Sequence, residues 1–182
     1  MNTFLSSNKR KISQYQQWLP GTHFASGPDL REIDSYPEAV AIYKSLDSGP
    51  NTIIDDTSLY ILARPDLQPQ NIRWNEEELF SSDDLDGTPV RAEVWLAVND
   101  GEFITTYRGE VNGLWKKPSI IPVGSDFDIG FTVNGVTMEE WINKGISCYS
   151  ARFRACKNLL SDNYSTRIEI NMIKPWTGKW QK

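Results

Sequence analysis

The hydrophobic pattern of the first third of the chain predicts alternating strands and helices. Residues 3–6 form a short apolar run, and residues 9–19 then carry hydrophobic side chains at helical spacing. After a loop and a short extended piece at residues 29–33, Pro37 fits the first turn of a second helix that continues through residues 39–46. Residues 52–54, Thr-Ile-Ile, predict a buried strand. This order is typical of a βαβ unit.

The rest of the pattern predicts a β-hairpin followed by helices. Residues 90–98 alternate as a strand, Asn-Asp-Gly-Glu at residues 99–102 forms a turn, and residues 103–108 return as a second strand. Further predicted elements are short helices at residues 74–80 and 137–144, a helix at 149–160 and a final strand at 166–173. We therefore expect one α/β domain over residues 1–182, with a central mixed, twisted sheet flanked by helices and residues 166–182 as a C-terminal strand and tail extension.

Composition narrows the range of partners. The formal net charge is -5 and the sequence pI is about 5.0, which argues against a broad positive surface for a nucleic acid polymer. No window approaches the roughly 18 apolar residues of a membrane span, and the N-terminus lacks the apolar segment of a signal peptide. We expect a cytoplasmic protein that binds neither a nucleic acid polymer nor a membrane.

Cysteine and histidine usage limits the metal chemistry. Cys148 and Cys156 lie in one predicted helical region, too far apart for easy disulfide geometry, so reduced thiols are expected. His23 is the only histidine, which leaves a zinc site almost without candidate ligands. Any bound metal should therefore be a hard cation held by carboxylates.

Two local motifs carry candidate chemistry. Asp55 and Asp56 follow the predicted strand at residues 52–54, where adjacent carboxylates are costly unless a cation or a solvent-filled cleft receives them. The second motif, Ser-Ser-Asn-Lys-Arg-Lys at residues 6–11, is a strand-to-helix turn whose backbone N–H groups and lysines suit a polyphosphate. Each motif also has an explanation without function. The acidic pair can be the start of a solvated loop, and residues 6–11 can be an N-capped helix with a basic first turn. No glycine-rich phosphate loop of a common type is present.

Four further segments accompany these motifs in order: Asp-Leu-Arg-Glu-Ile at residues 29–33, Tyr-Arg-Gly-Glu-Val-Asn-Gly at 107–113, Phe-Asp-Ile-Gly-Phe at 127–131 and Ser-Ala-Arg-Phe-Arg-Ala at 150–155. Together the segments resemble the non-canonical nucleoside triphosphate pyrophosphatases, also called inosine triphosphate pyrophosphatases, over roughly residues 3–160. The resemblance implies two lobes around a nucleotide cleft, Mg²⁺ as cofactor, hydrolysis of a nucleoside triphosphate to a monophosphate and pyrophosphate, and a homodimer. It also implies a turn at residues 107–113.

The resemblance implies a role for each matching residue. The implied catalytic residues are Asp56, Glu32 and Lys11, and the implied metal ligands are Glu32, Asp55 and Asp56. The implied substrate-binding residues are Ser7, Asn8, Lys11, Phe127, Asp128, Lys144, Ser150 and Arg152.

The chain also departs from the family pattern. Ala151 stands where the family has a histidine, and Ser125 stands where it commonly has an aromatic that stacks on the base. A family lysine between the glutamate motif and the acidic pair has only a loose counterpart in Lys44. We therefore keep three alternatives: altered specificity for a modified nucleotide, a nucleotide-binding or scaffold protein without turnover, and a protein-interaction surface formed by residues 168–173 and the Trp-rich tail.

Overall fold

The chain folds into β-strands and α-helices with the following bounds. The computed structural model describes residues 1–181. Its strands are β1 (Thr3–Ser6), β2 (His23–Ser26), β3 (Thr52–Ile61), β4 (Pro89–Asn99), β5 (Phe103–Trp115), β6 (Phe131–Val133), β7 (Val136–Thr137) and β8 (Thr166–Glu169). Its α-helices are α1 (Lys9–Trp18), α2 (Pro37–Ser48), α3 (Ile72–Ser81), α4 (Met138–Asn143) and α5 (Ala151–Leu160).

All strands join one mixed sheet. Its order is β2-β1-β3-β4-β5-β6-β7, and β8 pairs with the part of β5 that follows the hairpin turn. Strand β1 is parallel to both β2 and β3, whereas β3, β4 and β5 are antiparallel neighbours. The predicted α/β class, with a mixed sheet flanked by helices, is confirmed.

Helices cover both faces of the sheet. The larger apolar cluster joins β3, β4 and β5 to α1 and α5 through residues such as Tyr15, Leu59 and Ala155. A smaller cluster on the other face packs Ala41 of α2 against Ile54 and Trp95. Because side chains alternate across a strand, successive residues of β3 face different clusters. None of the helices in residues 1–181 combines the length and apolar character that a membrane crossing requires.

Strand β3 corrects the predicted position of the acidic pair. The prediction placed Asp55 and Asp56 at the C-terminal end of a short strand, but β3 continues to Ile61 and pairs with β4 along its whole length. The two residues therefore lie in the middle of a buried strand, and consecutive positions send their side chains to opposite faces. The polar sequence Asp-Asp-Thr-Ser hid this extension because it lacks the apolar pattern of a strand.

Other boundaries also differ from the prediction. Residues 23–26, predicted as loop, form the edge strand β2, whose four residues are too few to show a pattern. The predicted turn at 107–113 lies inside β5, which pairs with β4 over that range. Residues 29–33 form no strand, although Ile33 makes an isolated bridge to Trp180. The final strand ends at Glu169 and continues as a short 3₁₀ turn over Ile170–Met172.

A glycine allows α5 to approach the sheet. A Cβ atom at Gly109 of β5 would overlap the carbonyl oxygen of Ala151 and the amide nitrogen of Ala155, both in α5. Backbone atoms cannot yield as a flexible side chain can. The close approach therefore depends on glycine, and it fixes the helix that carries Arg152.

We predict that Gly109→Ala destabilises the protein by about 1–3 kcal/mol or more, because the added methyl group must displace α5. Denaturant unfolding would measure this loss. The matched control is Asn112→Ala, an exposed position on the same strand, for which a change within about 0.5 kcal/mol is expected. Equal stabilities of the two variants would contradict the close-packing argument.

Candidate functional site

A polar cleft of about 480 Å³ opens at the β1–α1 turn and crosses the middle of β3. Its walls come from six other segments: the loop at residues 28–32, Lys44 of α2, residues 70–76, residues 126–127, Arg152 and Gln181. Of the predicted site residues, the lining includes Ser7, Asn8, Lys11, Glu32, Asp55, Asp56, Phe127 and Arg152. The fold thus brings most of the predicted set to one cavity.

The β1–α1 turn is organised by its own side chains. The Asn8 side chain caps α1 by accepting hydrogen bonds from the amides of Arg10 (2.9 Å) and Lys11 (3.3 Å). The amide of Asn8 donates to Ser6 Oγ at 3.2 Å. Some of the backbone N–H groups that were predicted to bind a polyphosphate therefore donate to Asn8 and Ser6 side chains in this structure. The cation facing the cleft here is Lys11.

Asp55 is held by groups on α1. Its Oδ2 lies 3.0 Å from Lys11 Nζ and accepts a 3.4 Å hydrogen bond from the Tyr15 hydroxyl. Burial by itself would raise the pKa of Asp55, but the nearby charges of Lys11, Arg152 and Lys44 outweigh it and lower this pKa. Asp55 is therefore a stable carboxylate that fixes the position of Lys11.

Asp56 faces α2 and forms a cluster with Lys44 and Glu32. Lys44 Nζ lies 3.0 Å from Asp56 Oδ1 and 2.8 Å from Glu32 Oε1. Burial raises the pKa of Asp56 to about 6, and repulsion from Glu32 adds to this effect while Lys44 opposes it. The pKa of Lys44 is raised, because the attraction of Asp56 and Glu32 exceeds the effect of its burial. A carboxyl group that titrates near neutral pH inside a cleft is typical of acid–base chemistry.

The three predicted metal ligands do not form one cluster. Asp55 turns toward α1, whereas Asp56 and Glu32 meet at Lys44 on the other face of β3. Within residues 1–181, no three Asp, Glu, His or Cys side chains gather as a metal site. Asp56 and Glu32 nevertheless place two carboxylate oxygens around one cation, and Mg²⁺ is commonly held by one or two carboxylates with water and phosphate oxygens. This donor pair fits Mg²⁺.

At the far end of the cleft, Arg152 is held by buried partners. Its Nη1 donates to Gln14 Oε1 at 3.0 Å and to Asp128 Oδ2 at 3.4 Å. Burial raises the pKa of Asp128 to about 6 against the opposing charge of Arg152. Phe127 is only 3% exposed and packs against Phe131. Asp128 therefore orients Arg152 from behind the cleft wall, while Phe127 contributes mainly to the core.

Besides Asp128, two predicted substrate-binding residues lie outside the cleft lining. Ser150 caps α5, where its hydroxyl accepts a 3.4 Å hydrogen bond from the amide of Phe153. Lys144 follows α4 as an exposed residue, with its Nζ 5.6 Å from the ring centre of Trp141. A contact between either residue and a substrate remains a prediction from the family resemblance.

Sequence reasoning missed several residues of the site. Lys44 was only a loose candidate, although it follows the buried Ala41 by three positions and so faces inward from α2. Glu76 of α3 lines the cleft and accepts a 3.1 Å hydrogen bond from the amide of Phe127. Burial raises the pKa of Glu76 to about 7. No sequence signal marks Glu76, because only the packing of α3 brings it to residues 126–128.

Arg10 is a further residue that the sequence left unassigned. It reaches Asp126 at 3.2 Å, Asp128 at 3.8 Å and Glu139 at 3.4 Å. These contacts join α1 to the start of α4 beside the buried Arg152. Arg10 thereby offsets part of the negative charge at this end of the cleft.

Comparison with solved structures shows which known proteins share this fold. No family model matches the sequence, and no curated protein sequence does. Solved structures do match: the Ham1 protein of Staphylococcus aureus superposes with a TM-score of 0.62 and 20% identity, covering 90% of this chain and 98% of that one. A nucleoside-triphosphatase / dITP/XTP pyrophosphatase from Mycobacterium abscessus superposes with a TM-score of 0.50 and 18% identity, covering 90% of this chain and 100% of that one. The predicted resemblance is confirmed as a shared fold.

We predict that Lys44→Met raises the pKa of Asp56 above its value of about 6. Lys44 attracts the ionised form of Asp56, so its removal should raise this pKa by about one unit or more. A carboxyl ¹³C NMR titration in metal-free buffer would measure the change. The control is Lys157→Met, which removes an exposed lysine of α5 and should leave the Asp56 titration unchanged. An unaltered Asp56 pKa in Lys44→Met would contradict the proposed coupling.

Proposed function

We propose that the chain is a Mg²⁺-dependent nucleoside triphosphate pyrophosphohydrolase. It hydrolyses a non-canonical or modified ribo- or deoxyribonucleoside triphosphate to the monophosphate and pyrophosphate. The observation that carries this proposal is the cluster of Asp56, Glu32 and Lys44 in a polar cleft that Lys11 also lines. The Ham1 fold and the pyrophosphatase names of its structural relatives support the same reaction class.

In this proposal Asp56 is the catalytic carboxylate. Water attacks the α-phosphorus, the bond to the bridging oxygen breaks, and pyrophosphate leaves with the bonding electron pair. The proton of the attacking water passes to Asp56, the buried carboxylate of this cluster. Glu32 and Lys44 hold its carboxylate in position through their shared ion pairs.

The remaining side chains hold the substrate. Lys11 faces the cleft from α1 and attracts the phosphates, while Ser7 and Asn8 supply polar groups beside them. Glu32 and Asp56 are the residues that would hold Mg²⁺. When bound, this ion neutralises charge on the triphosphate. Asp55 contributes by fixing Lys11 at 3.0 Å.

The base end of the cleft differs from the family pattern and favours a modified base. By the family resemblance, Ala151 and Ser125 replace larger groups that the family uses near the base, so fewer side chains would contact the base here. Arg152 lines this end and is held in place by Asp128 and Gln14. A screen for pyrophosphate release across canonical, deaminated and modified triphosphates, with and without Mg²⁺, would identify the substrate.

One observation favours a second candidate, nucleotide binding without turnover. The ammonium group of Lys44 occupies the point between Glu32 and Asp56 where a metal cation would contact both carboxylates. If Lys44 stays there when nucleotide binds, Mg²⁺ is excluded. Triphosphate binding without metal-dependent release of pyrophosphate would establish this alternative.

We further propose, from the family resemblance, a homodimer in the cytoplasm. Light scattering after size exclusion would test the assembly.

We predict that Asp56→Asn lowers pyrophosphate release by about 10²–10⁴-fold, because the amide cannot accept the proton of the attacking water. The protein should remain folded, although its thermal midpoint should fall because Lys44 loses one of its two charged partners. Asp47→Asn, an exposed carboxylate of α2, is the matched control and should retain full activity. An active Asp56→Asn variant would remove the proposed mechanism.

A further inference from the structure

The C-terminal tail, defined as residues 174–181, runs back across the loop that carries Glu32. The amide of Gln181 donates to the carbonyl oxygen of Glu32 at 2.9 Å, and the Gln181 side-chain amide donates to the carbonyl oxygen of Ile33 at 3.0 Å. The amide of Asp34 donates to the carbonyl oxygen of Lys179 at 2.9 Å. The tail therefore forms a short ladder along the Glu32 loop, residues 28–34.

Aromatic packing reinforces this ladder. Trp180 packs on Ile33, and the Arg31 guanidinium carbon lies 4.1 Å from the centre of the Trp180 ring. At the other end of the tail, Trp176 contacts Tyr43 of α2 with ring centres 5.6 Å apart. The two tryptophans that the sequence offered as an interaction surface are thus packed within the chain.

The Glu32 loop has little structure of its own. It contains no helix or strand, and every hydrogen bond formed by its backbone within residues 1–181 is to the tail. Its polar side chains add only Gln70 to Asp34 at 3.4 Å and Arg73 to Asp29 at 3.9 Å, besides the bond between Glu32 and Lys44, while Ile33 packs with Ala39 and Val40 of α2. A loop of this kind samples many conformations unless other segments hold it.

We propose that the tail positions Glu32 against Asp56 and Lys44, with Trp180 and Gln181 as positioning residues of the cleft. Gln181 also lines the cleft beside Glu32. Contacts to a metal ion and to a transition state tolerate only displacements well below 1 Å. A Glu32 loop released from the tail would therefore lose both kinds of contact. This inference rests on the proposed function for its effect on turnover, whereas its structural part, restraint of the Glu32 loop, can be measured without any substrate.

The test compares Trp180→Ala with Trp180→Phe and Lys179→Ala in the full-length chain. Lys179 contributes its carbonyl oxygen to the ladder, so truncating its side chain is a matched control in the same segment. Amide hydrogen exchange of residues 28–34 is expected to accelerate in Trp180→Ala and to stay unchanged in Lys179→Ala. Trp180→Phe should restore much of the protection, because an aromatic ring still packs on Arg31 and Ile33.

Pyrophosphate release against Mg²⁺ concentration provides the functional readout. In Trp180→Ala we expect the Mg²⁺ concentration for half-maximal activity to rise about tenfold, with kcat reduced, since outer contacts of metal ligands have effects of 10–100-fold. A general loss of folded protein would lower activity without moving the Mg²⁺ midpoint. Lys179→Ala should match the original chain in both quantities.

The possible failures are distinguishable. If the original chain releases no pyrophosphate from any triphosphate, the proposed function is wrong, and hydrogen exchange still decides whether the tail restrains the loop. If the original chain is active and Trp180→Ala leaves the Mg²⁺ midpoint unchanged, the positioning role is overturned. Unchanged exchange of residues 28–34 in Trp180→Ala would overturn it as well.

Discussion

The organisation of this protein depends on two carboxylates buried side by side in the middle of β3. Asp55 and Asp56 are each only 5% exposed, so each needs a cation brought by another element. Lys11 meets Asp55 from α1, and Lys44 meets Asp56 from α2. Removing one partner from such a pair typically costs about 3–5 kcal/mol, because the other charge stays buried. These ion pairs therefore hold α1 and α2 against β3, and their side chains also line the cleft.

Because side chains alternate along β3, Asp55 and Asp56 lie on opposite faces of the sheet and have different surroundings. On one face, Asp55 joins Lys11 and Tyr15 of α1 through an ion pair and a hydrogen bond. On the other, Asp56 lies near Glu32, and burial raises its pKa to about 6. In the proposed mechanism the strand therefore separates a positioning carboxylate from a reactive one. The sequence alone does not reveal this difference, because adjacent residues of a strand point to opposite faces of the sheet.

Support for the site comes from segments far apart along the chain. Asp128 and Gln14 fix Arg152, Gly109 lets α5 lie against β5, and the tail reaches the Glu32 loop. In each case a residue at the cleft depends on one outside it. In the proposed reaction such supporting contacts would set the geometry of the site, because positioning provides most of the catalysis of phosphoryl transfer.

The sequence by itself determined the fold class, most elements and the order of motifs, because hydrophobic periodicity, caps and turn residues are local signals. The family resemblance of these motifs implied in addition that Asn8, Lys11, Glu32, Asp56 and Arg152 belong to one site. Only the tertiary structure decided the opposite orientations of Asp55 and Asp56, the ion pairs of Lys44, the placement of Glu76 and the docking of the tail. These depend on strand register and on contacts between distant segments, for which a single sequence carries no local pattern.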